Sequence, residues 1–317
     1  MTISVLRTSE GWWVQTPTGA SPITTSASMT AELLADRGAV DAAIETGGAG
    51  GDTVALENLT LLSPVTAPCR VIAQMTNFES HVVDAGMDPK TVPLTFFRKS
   101  SASITGPFGE IVRPAHVTLL DYEVEIGLVI GRDVPAGSTI TENDLPHVIA
   151  GLTVTNDVSA RDIQLPQTQF YEAKSYPTFT PVGPALVLLD AAELARFGDL
   201  RLRLSVSGEE RQNRIVEGDM LYRPLQALQS LTRFQDLAAG DLVLTGTPVG
   251  TALSAPPKPV EIIGNFLPPA VKWKAFFSRQ AKNRKYLQHG DVVEASVGTD
   301  DGAIDLGTQR LSVRYAR

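Results

Sequence analysis

The 317-residue chain is 43% hydrophobic and 20% charged, an ordinary globular composition with room for one large domain and a small appendage. Its 27 Lys and Arg against 35 Asp and Glu leave a formal charge of −8, so phosphate backbones and anionic lipid surfaces are not expected as partners. The single cysteine, Cys69, excludes an intrachain disulfide and any multi-cysteine metal site. With no long apolar run and no basic-then-apolar leader, a cytoplasmic location is expected.

Residues 1–68 read as a small N-terminal α/β module. SVLRT and WWVQT flank a Ser-Glu-Gly turn, a hairpin pattern, and Thr30–Glu45 has helical spacing. A Gly-rich break at 47–51 and the Pro-punctuated LLSPVTAP lead into a second unit, 69–317, of different character. There CRVIAQ predicts a short buried strand running into MTNFESHVVDAG, and TFFRKSSASITGP predicts a strand and loop. In DYEVEIGLVIG, Tyr122, Val124, Ile126, Leu128 and Ile130 alternate with Glu123, Glu125, Gly127 and Val129. That period of two places the aliphatic residues on one strand face and both glutamates on the other, about 7 Å apart along the strand. GLTVTND repeats the arrangement, an apolar strand ending in Asp157. Three carboxylates delivered by two strands suit a hard divalent cation such as Mg²⁺, Mn²⁺ or Ca²⁺, not Zn²⁺. The alternative is a solvated polar face on an edge strand.

Further on, LRLRLSVSGEERQNRI predicts a hairpin and MLYRPLQALQSLTRF a core-facing helix. GDLVLTGTPVGT is a strand whose end is bent by glycines and a proline, and GDVVEASVG is a closing strand. Between these two lies an insertion, about 254–289: Pro-rich SAPPKP, apolar EIIGNFLPP, then VKWKAFFSRQAKNRKYLQHG. Residues 272–285 hold six basic side chains and no acidic one. A solvated face, a dimer contact and a wall of a substrate pocket are all compatible with that run.

DYEVEIGLVIG followed by NDVSARDIQ, AKSYPTF and GDLVLTGTPVG resembles the fumarylacetoacetate hydrolase family, over about residues 66–253 and 289–297. The resemblance implies an α+β, mainly β fold, the mixed β-sandwich roll of that family's C-terminal domain. It also implies a divalent cation, Mg²⁺ or else Mn²⁺ or Ca²⁺, held by Glu123, Glu125 and Asp157. Lys174 matches a lysine beside the metal that stabilises developing negative charge. Gln164 matches a glutamine that polarises the substrate carbonyl, and Arg161 is either a second substrate contact or structural. Thr247 matches a threonine contacting a substrate carboxylate or carbonyl oxygen. Lys99, in a segment similar to the family's F-x-K-P-x-S-S-L-x-G-P, either meets an anionic substrate group or pairs with a scaffold carboxylate.

MTNFESHVVDAG resembles a lid, N-Y-x-x-H-x-x-E, whose His-Glu pair activates water. His81 takes the histidine position, but Asp84 stands where the hydrolases have Glu, one methylene shorter. Glu79 is a possible substitute. The implied activity is metal-dependent hydrolysis of a C–C bond in a 1,3-dicarbonyl or 2,4-dioxo acid, acylpyruvate- or fumarylacetoacetate-like, by a homodimer. The alternatives are decarboxylation of a 2-oxo acid or isomerisation of an enol acid at the same site, or a catalytically weakened homologue that retains metal to bind a ligand.

Overall fold

The alternating runs of the sequence become strands of two stacked sheets, seen in a computed structural model that describes residues 2–48, 53–167, 170–253, 255 and 268–316. In chain order the strands are β1 (Ile3–Thr8), β2 (Gly11–Thr16), β3 (Gly19–Pro22), β4 (Val71–Met75), β5 (Thr95–Lys99), β6 (Ile104–Thr105), β7 (Phe108–Arg113), β8 (Leu120–Asp121) and β9 (Val124–Ile130). There follow β10 (Ile149–Asn156), β11 (Ser159–Ala160), β12 (Thr180–Pro181), β13 (Leu186–Leu188), β14 (Leu200–Val206), β15 (Glu209–Ile215), β16 (Leu242–Leu244), β17 (Val292–Thr299) and β18 (Asp305–Tyr315). The helices that matter here are α1 (Thr30–Ala35), α2 (Arg37–Gly48), α3 (Glu79–Asp84), α4 (Leu145–Val148), α5 (Arg161–Gln167), α6 (Ala191–Leu194), α7 (Pro224–Thr232) and α8 (Pro269–Gln280).

A nine-stranded sheet runs β3-β2-β1-β13-β10-β9-β16-β4-β5, and a five-stranded sheet runs β15-β14-β17-β18-β7. This is the expected mainly-β α+β architecture. At the centre of the larger sheet, period two sorts side chains into two cores rather than a core and a solvent face. Val124, Ile126, Leu128 and Ile130 of β9 join Leu202, Leu204, Ala295, Val297 and Leu311 of the smaller sheet. Val129 joins Leu242, Leu244, Val71 and Ala73 in a second core against α1 and α2. The strand carrying the glutamates is therefore buried along its whole length, with β10 and β16 hydrogen-bonded on either side, and the solvated edge-strand alternative is excluded. The smaller sheet keeps one wet face: Leu200, Leu202, Leu204 and Val206 of β14 are buried while Arg203 between them is exposed.

The predicted hairpins form. β1 pairs with β2, and β14 with β15 through a two-residue turn at Ser207-Gly208, both with positive φ, the geometry that matches strand twist. The expected helix over Thr30–Glu45 is two helices, broken at Asp36, whose carboxylate accepts from Thr25 Oγ1 at 2.6 Å. The first 68 residues share a sheet with the rest: β1 hydrogen-bonds to β13, and Val5, Trp12, Leu33 and Val40 lie in the second core. The boundary near 68 is a change of sequence character that a continuous sheet and core cross. Residues 254 and 256–267, most of the Pro-rich and apolar parts of the insertion, lie outside the described residues. Among the described residues no helix is long and apolar enough to cross a membrane.

Candidate active site

Glu123 directly precedes β9 and Asp157 directly follows β10, so the antiparallel register of these two strands brings both carboxylates to one end of the pair. The junction is locked by Asp157 N donating to Glu123 O at 2.8 Å and Glu123 N donating to Asn156 Oδ1 at 2.9 Å. Glu125, two residues on, shares the face of Glu123. One oxygen from each of the three carboxylates lies within 4.8 Å of the others, and all three residues are buried.

Cations surround most of this cluster. Lys174 Nζ donates to Glu123 Oε2 at 2.8 Å and to Asp157 Oδ2 at 2.7 Å. Lys99 Nζ donates to Asp157 and, at 2.8 Å, to the carbonyl of Phe179. Arg161 donates from Nε to Asp121 at 2.8 Å, from Nη1 to Gln164 Oε1 at 2.8 Å, and from Nη2 to Glu123. Glu125 is different: its one hydrogen bond is from the Gly246 N–H, at 2.6 Å, and no cationic side chain pairs with it among the described residues. Gly246 reaches that position with φ at 84°, and a Cβ there would stand 2.8 Å from that of Asn77, so the turn requires glycine.

The electrostatics follow from those partners. Burial alone would raise Glu123, but the Lys174 and Arg161 charges overcome it and hold its carboxyl down at about 2. Burial, reinforced by the neighbouring Asp157 and Glu123 charges, pushes Glu125 well above the usual carboxylate range. Burial likewise pulls Lys99 down, with Asp157 opposing it. Lys174 goes the other way: burial would lower it, yet Asp157 and Glu123 together hold it above the ordinary lysine value. Counting Asp121, four carboxylates meet three cations, and Glu125 is the one without a cationic partner among the described residues. Three convergent buried carboxylates, one of them without a cationic partner among the described residues, are a donor set that fits a hard divalent cation.

A model of the fumarylacetoacetate hydrolase C-terminal domain matches residues 70–314. The chain belongs to the fumarylacetoacetate hydrolase family. It is 35% identical over 200 residues to the mitochondrial oxaloacetate tautomerase of Rattus norvegicus, an alignment covering 63% of this chain and 62% of that protein. It is 31% identical over 251 residues to the 2,4-didehydro-3-deoxy-L-rhamnonate hydrolase of Sphingomonas sp. (strain SKA58), covering 79% and 75%. The crystal structure of a probable 2-hydroxyhepta-2,4-diene-1,7-dioate isomerase from Mycobacterium abscessus matches all of both chains with a TM-score of 0.74 at 27% identity. The chain spans about 62% of the length of the tautomerase relative. Family relatives therefore carry the names of tautomerases, isomerases and hydrolases.

A cavity of about 1040 Å³ opens over the carboxylate cluster of this family member. Glu123, Glu125, Asp157, Lys174, Arg161 and Gln164 all line it. The Gln164 carbonyl oxygen is taken by Arg161, which leaves the amide Nε2–H groups as donors toward the cavity. Arg161 pairs with Asp121 and Glu123, not with its neighbour Asp162, whose carboxylate instead accepts from Thr118 and Leu119. Thr247 also lines the cavity, but its hydroxyl donates to Val124 O at 2.9 Å and accepts from Gln212 Nε2 at 2.9 Å. Lys99 lies behind Asp157, off the cavity wall, in the scaffold arrangement.

His81 and Asp84 sit on the short helix α3, and His81 lines the cavity. No hydrogen bond or ion pair joins them. His81 Nδ1 is buried without a partner among the described residues, and burial lowers the affinity of the ring for a proton. Glu79 is exposed and does not line the cavity. The helix is anchored at its start, where Ser80 donates from N and Oγ to Asp219 at 2.7 and 2.6 Å.

Several working residues carry little sequence signal. Asp121 holds Arg161 and accepts from Ala252 N and Leu253 N at 2.8 and 3.1 Å; its place at the head of DYEVE was the available clue. Gln212 fastens Thr247, Pro248 and β9 together, and only its inward register in an alternating strand marks it. Gln74, 2% exposed, lines the cavity with its Oε1 buried and without a partner among the described residues, and looks in sequence like any strand residue. The basic part of the insertion is a cavity wall: Lys272, Trp273, Phe276, Arg279 and Lys282 of α8 and the turn after it line the cavity.

Proposed function

We propose that the protein is a divalent-metal-dependent enzyme acting on a 2-oxo or 2,4-dioxo acid through its enolate form, with enol–keto isomerisation as the reaction the geometry supports best. Glu123, Glu125 and Asp157 hold the cation in this reading, with Mg²⁺ or Mn²⁺ the natural choice for three carboxylates. A bound cation supplies Lewis acidity, polarising the oxo-acid oxygens so that the adjacent C–H is more readily ionised. Lys174, positioned by Glu123 and Asp157, places a fixed ammonium beside the charge that develops. Gln164, oriented by Arg161, offers its amide N–H to a substrate carbonyl. Arg161 and Asp121 hold Glu123 from behind and keep the geometry from collapsing when substrate enters.

The observation that carries the choice of reaction is that no hydrogen bond joins His81 to Asp84. Hydrolysis needs an activated water and therefore an oriented base, while isomerisation of an enol acid does not add water. A second reading, C–C bond hydrolysis, is supported by His81 itself, which lines the same cavity and whose buried Nδ1 has no partner among the described residues. The experiment is a pair of assays on chelator-stripped protein restored with Mg²⁺ or Mn²⁺: ketonisation of enol-oxaloacetate and hydrolysis of an acylpyruvate. Metal-dependent ketonisation that exceeds hydrolysis is the expected result. Hydrolysis dominating would move the assignment to the second reading, and turnover indifferent to chelation would overturn both.

A further inference from the structure

Beside the carboxylates the cavity has an apolar wall, and the register of two strands shows how it is built. β4 and β5 pair antiparallel, with Ala73 opposite Phe97 and Met75 opposite Thr95. Residues directly opposite share a face, as do residues two apart, so Met75 lies diagonal to Phe97 on the face that also carries Lys99. That face is turned toward the site, because Lys99 donates from it to Asp157. The Phe97 ring centroid lies 5.5 Å from Lys174 Nζ, and the ring meets that of Phe170 edge to face, with centroids 5.3 Å apart. Lys174 Nζ in turn bonds to Glu123 and Asp157, so the aromatic pair begins where the carboxylate cluster ends. On α5, Arg161, Gln164 and Leu165 recur at i, i+3 and i+4 and all line the cavity, which sets Leu165 beside Gln164. Met75, Phe97, Leu165 and Phe170 each line the cavity and are half-buried. Apolar side chains left partly open on a cavity wall are stabilised when a ligand covers them. The reaction proposed above draws on the carboxylates, Lys174 and Gln164 and leaves this wall without a role.

We propose that Met75, Phe97, Leu165 and Phe170 form a subsite for an apolar tail, so that the substrate is a 2-oxo or 2,4-dioxo acid whose chain carries an aromatic ring beyond the oxo group. The proposal rests on the enolate reading above for the head of the substrate, the 2-oxo acid group at Glu123, Glu125 and Asp157. The tail ring covers the open parts of the four side chains and meets the aromatic pair in edge-to-face or offset contact. A charged tail at the same place would give up its water against apolar side chains, which is unfavourable.

The test reads binding, independent of turnover. Calorimetry on Mg²⁺-loaded protein would compare phenylpyruvate with pyruvate, and 4-phenyl-2-oxobutanoate with 2-oxobutanoate. Each pair shares the 2-oxo acid head and differs by one phenyl group. At the tail position that fits, the phenyl acid should bind at least about tenfold more tightly, with a more negative heat-capacity change and a preference that added NaCl does not reduce. Leu165→Ala combined with Phe170→Ala should weaken the phenyl acid about tenfold and so remove most of the preference. Met75→Ala, on the strand side of the wall, should lower it in part, and Mg²⁺ titration of each variant checks that the carboxylate cluster is still assembled. The control Phe234→Ala removes a ring that is 65% exposed and off the cavity wall, and should preserve the preference. Equal affinities within both pairs, or a preference that survives the Leu165/Phe170 and Met75 variants, would overturn the subsite. Binding of none of the four acids would overturn both readings. If the preference behaves as expected but enol–keto turnover is absent or indifferent to chelation, the subsite stands and the enolate reading falls.

Discussion

Glu125 differs from Glu123 and Asp157 in having, among the described residues, only a backbone N–H to answer its charge. A buried carboxylate without a cation is costly, and a neutral isostere can keep the size of the side chain while removing that cost. Glu125→Gln should therefore leave the metal-free protein as stable as before, or raise its stability by about 1–3 kcal/mol, while weakening Mg²⁺ binding at least about tenfold, roughly 1.4 kcal/mol. Thermal melts with and without Mg²⁺, together with calorimetry, check both halves; an unchanged cation affinity would remove Glu125 from the ligand set. Lys174 is the opposite case, a cation shared by two buried carboxylates. Lys174→Ala removes one of two cations from each, leaving Arg161 on Glu123 and Lys99 on Asp157, and should destabilise the metal-free protein by less than the roughly 3–5 kcal/mol of a fully uncompensated buried charge. If it also acts on transition-state charge, kcat and kcat/KM should fall together. A raised KM with unchanged kcat would make it a binding residue only.

At the scale of elements, the proposed choice between isomerisation and hydrolysis rests on the short helix α3. Its first turn is tied to Asp219, and Asn77 just before it is tied to Tyr222 and Thr245, so the backbone has little freedom to bring Asp84 nearer to His81. Restoring the missing methylene with Asp84→Glu should raise acylpyruvate hydrolysis, by as much as the roughly 10²–10⁴-fold that a positioned base contributes. Ketonisation of enol-oxaloacetate should change little. Equal or lower hydrolysis in Asp84→Glu would show that the side-chain length at this position is not what limits water activation.

The whole molecule is organised by a sheet that ignores the sequence boundary near residue 68. β1 continues it from β13, and Trp12, 3% exposed, lies in one core with Leu242 and Leu244 of the strand that leads to Gly246. The N-terminal segment should therefore melt together with the site-bearing strands in a single calorimetric transition. A chain beginning at residue 69 should expose the second core and aggregate. Trp12→Ala should cost about 3–5 kcal/mol while leaving the site residues in place. Two separate transitions, with the later one retaining Mg²⁺ binding, would restore the picture of an independent module.

The sequence by itself determined the local patterns and which carboxylates gather at the candidate site. Period two in 122–130 and 200–206 made strands, Ser207-Gly208 made a hairpin turn, and the carboxylates of DYEVE and TND pointed to a hard cation. These were legible because backbone periodicity and side-chain type act within a few residues. Tertiary structure decided what depends on neighbours distant in the chain. Whether β9 would face water on one side or be buried on both depended on α1, α2 and the smaller sheet closing over it. Whether Lys99 would meet substrate or scaffold depended on Asp157, 58 residues away. The basic run at 272–285 had the composition of a solvated surface, and only the packing of Phe277 and Asn283 turned one face of its helix into a cavity wall. Charge and hydropathy say that a side chain can carry a role; which of two equally compatible partners it meets is set by the path of the rest of the chain.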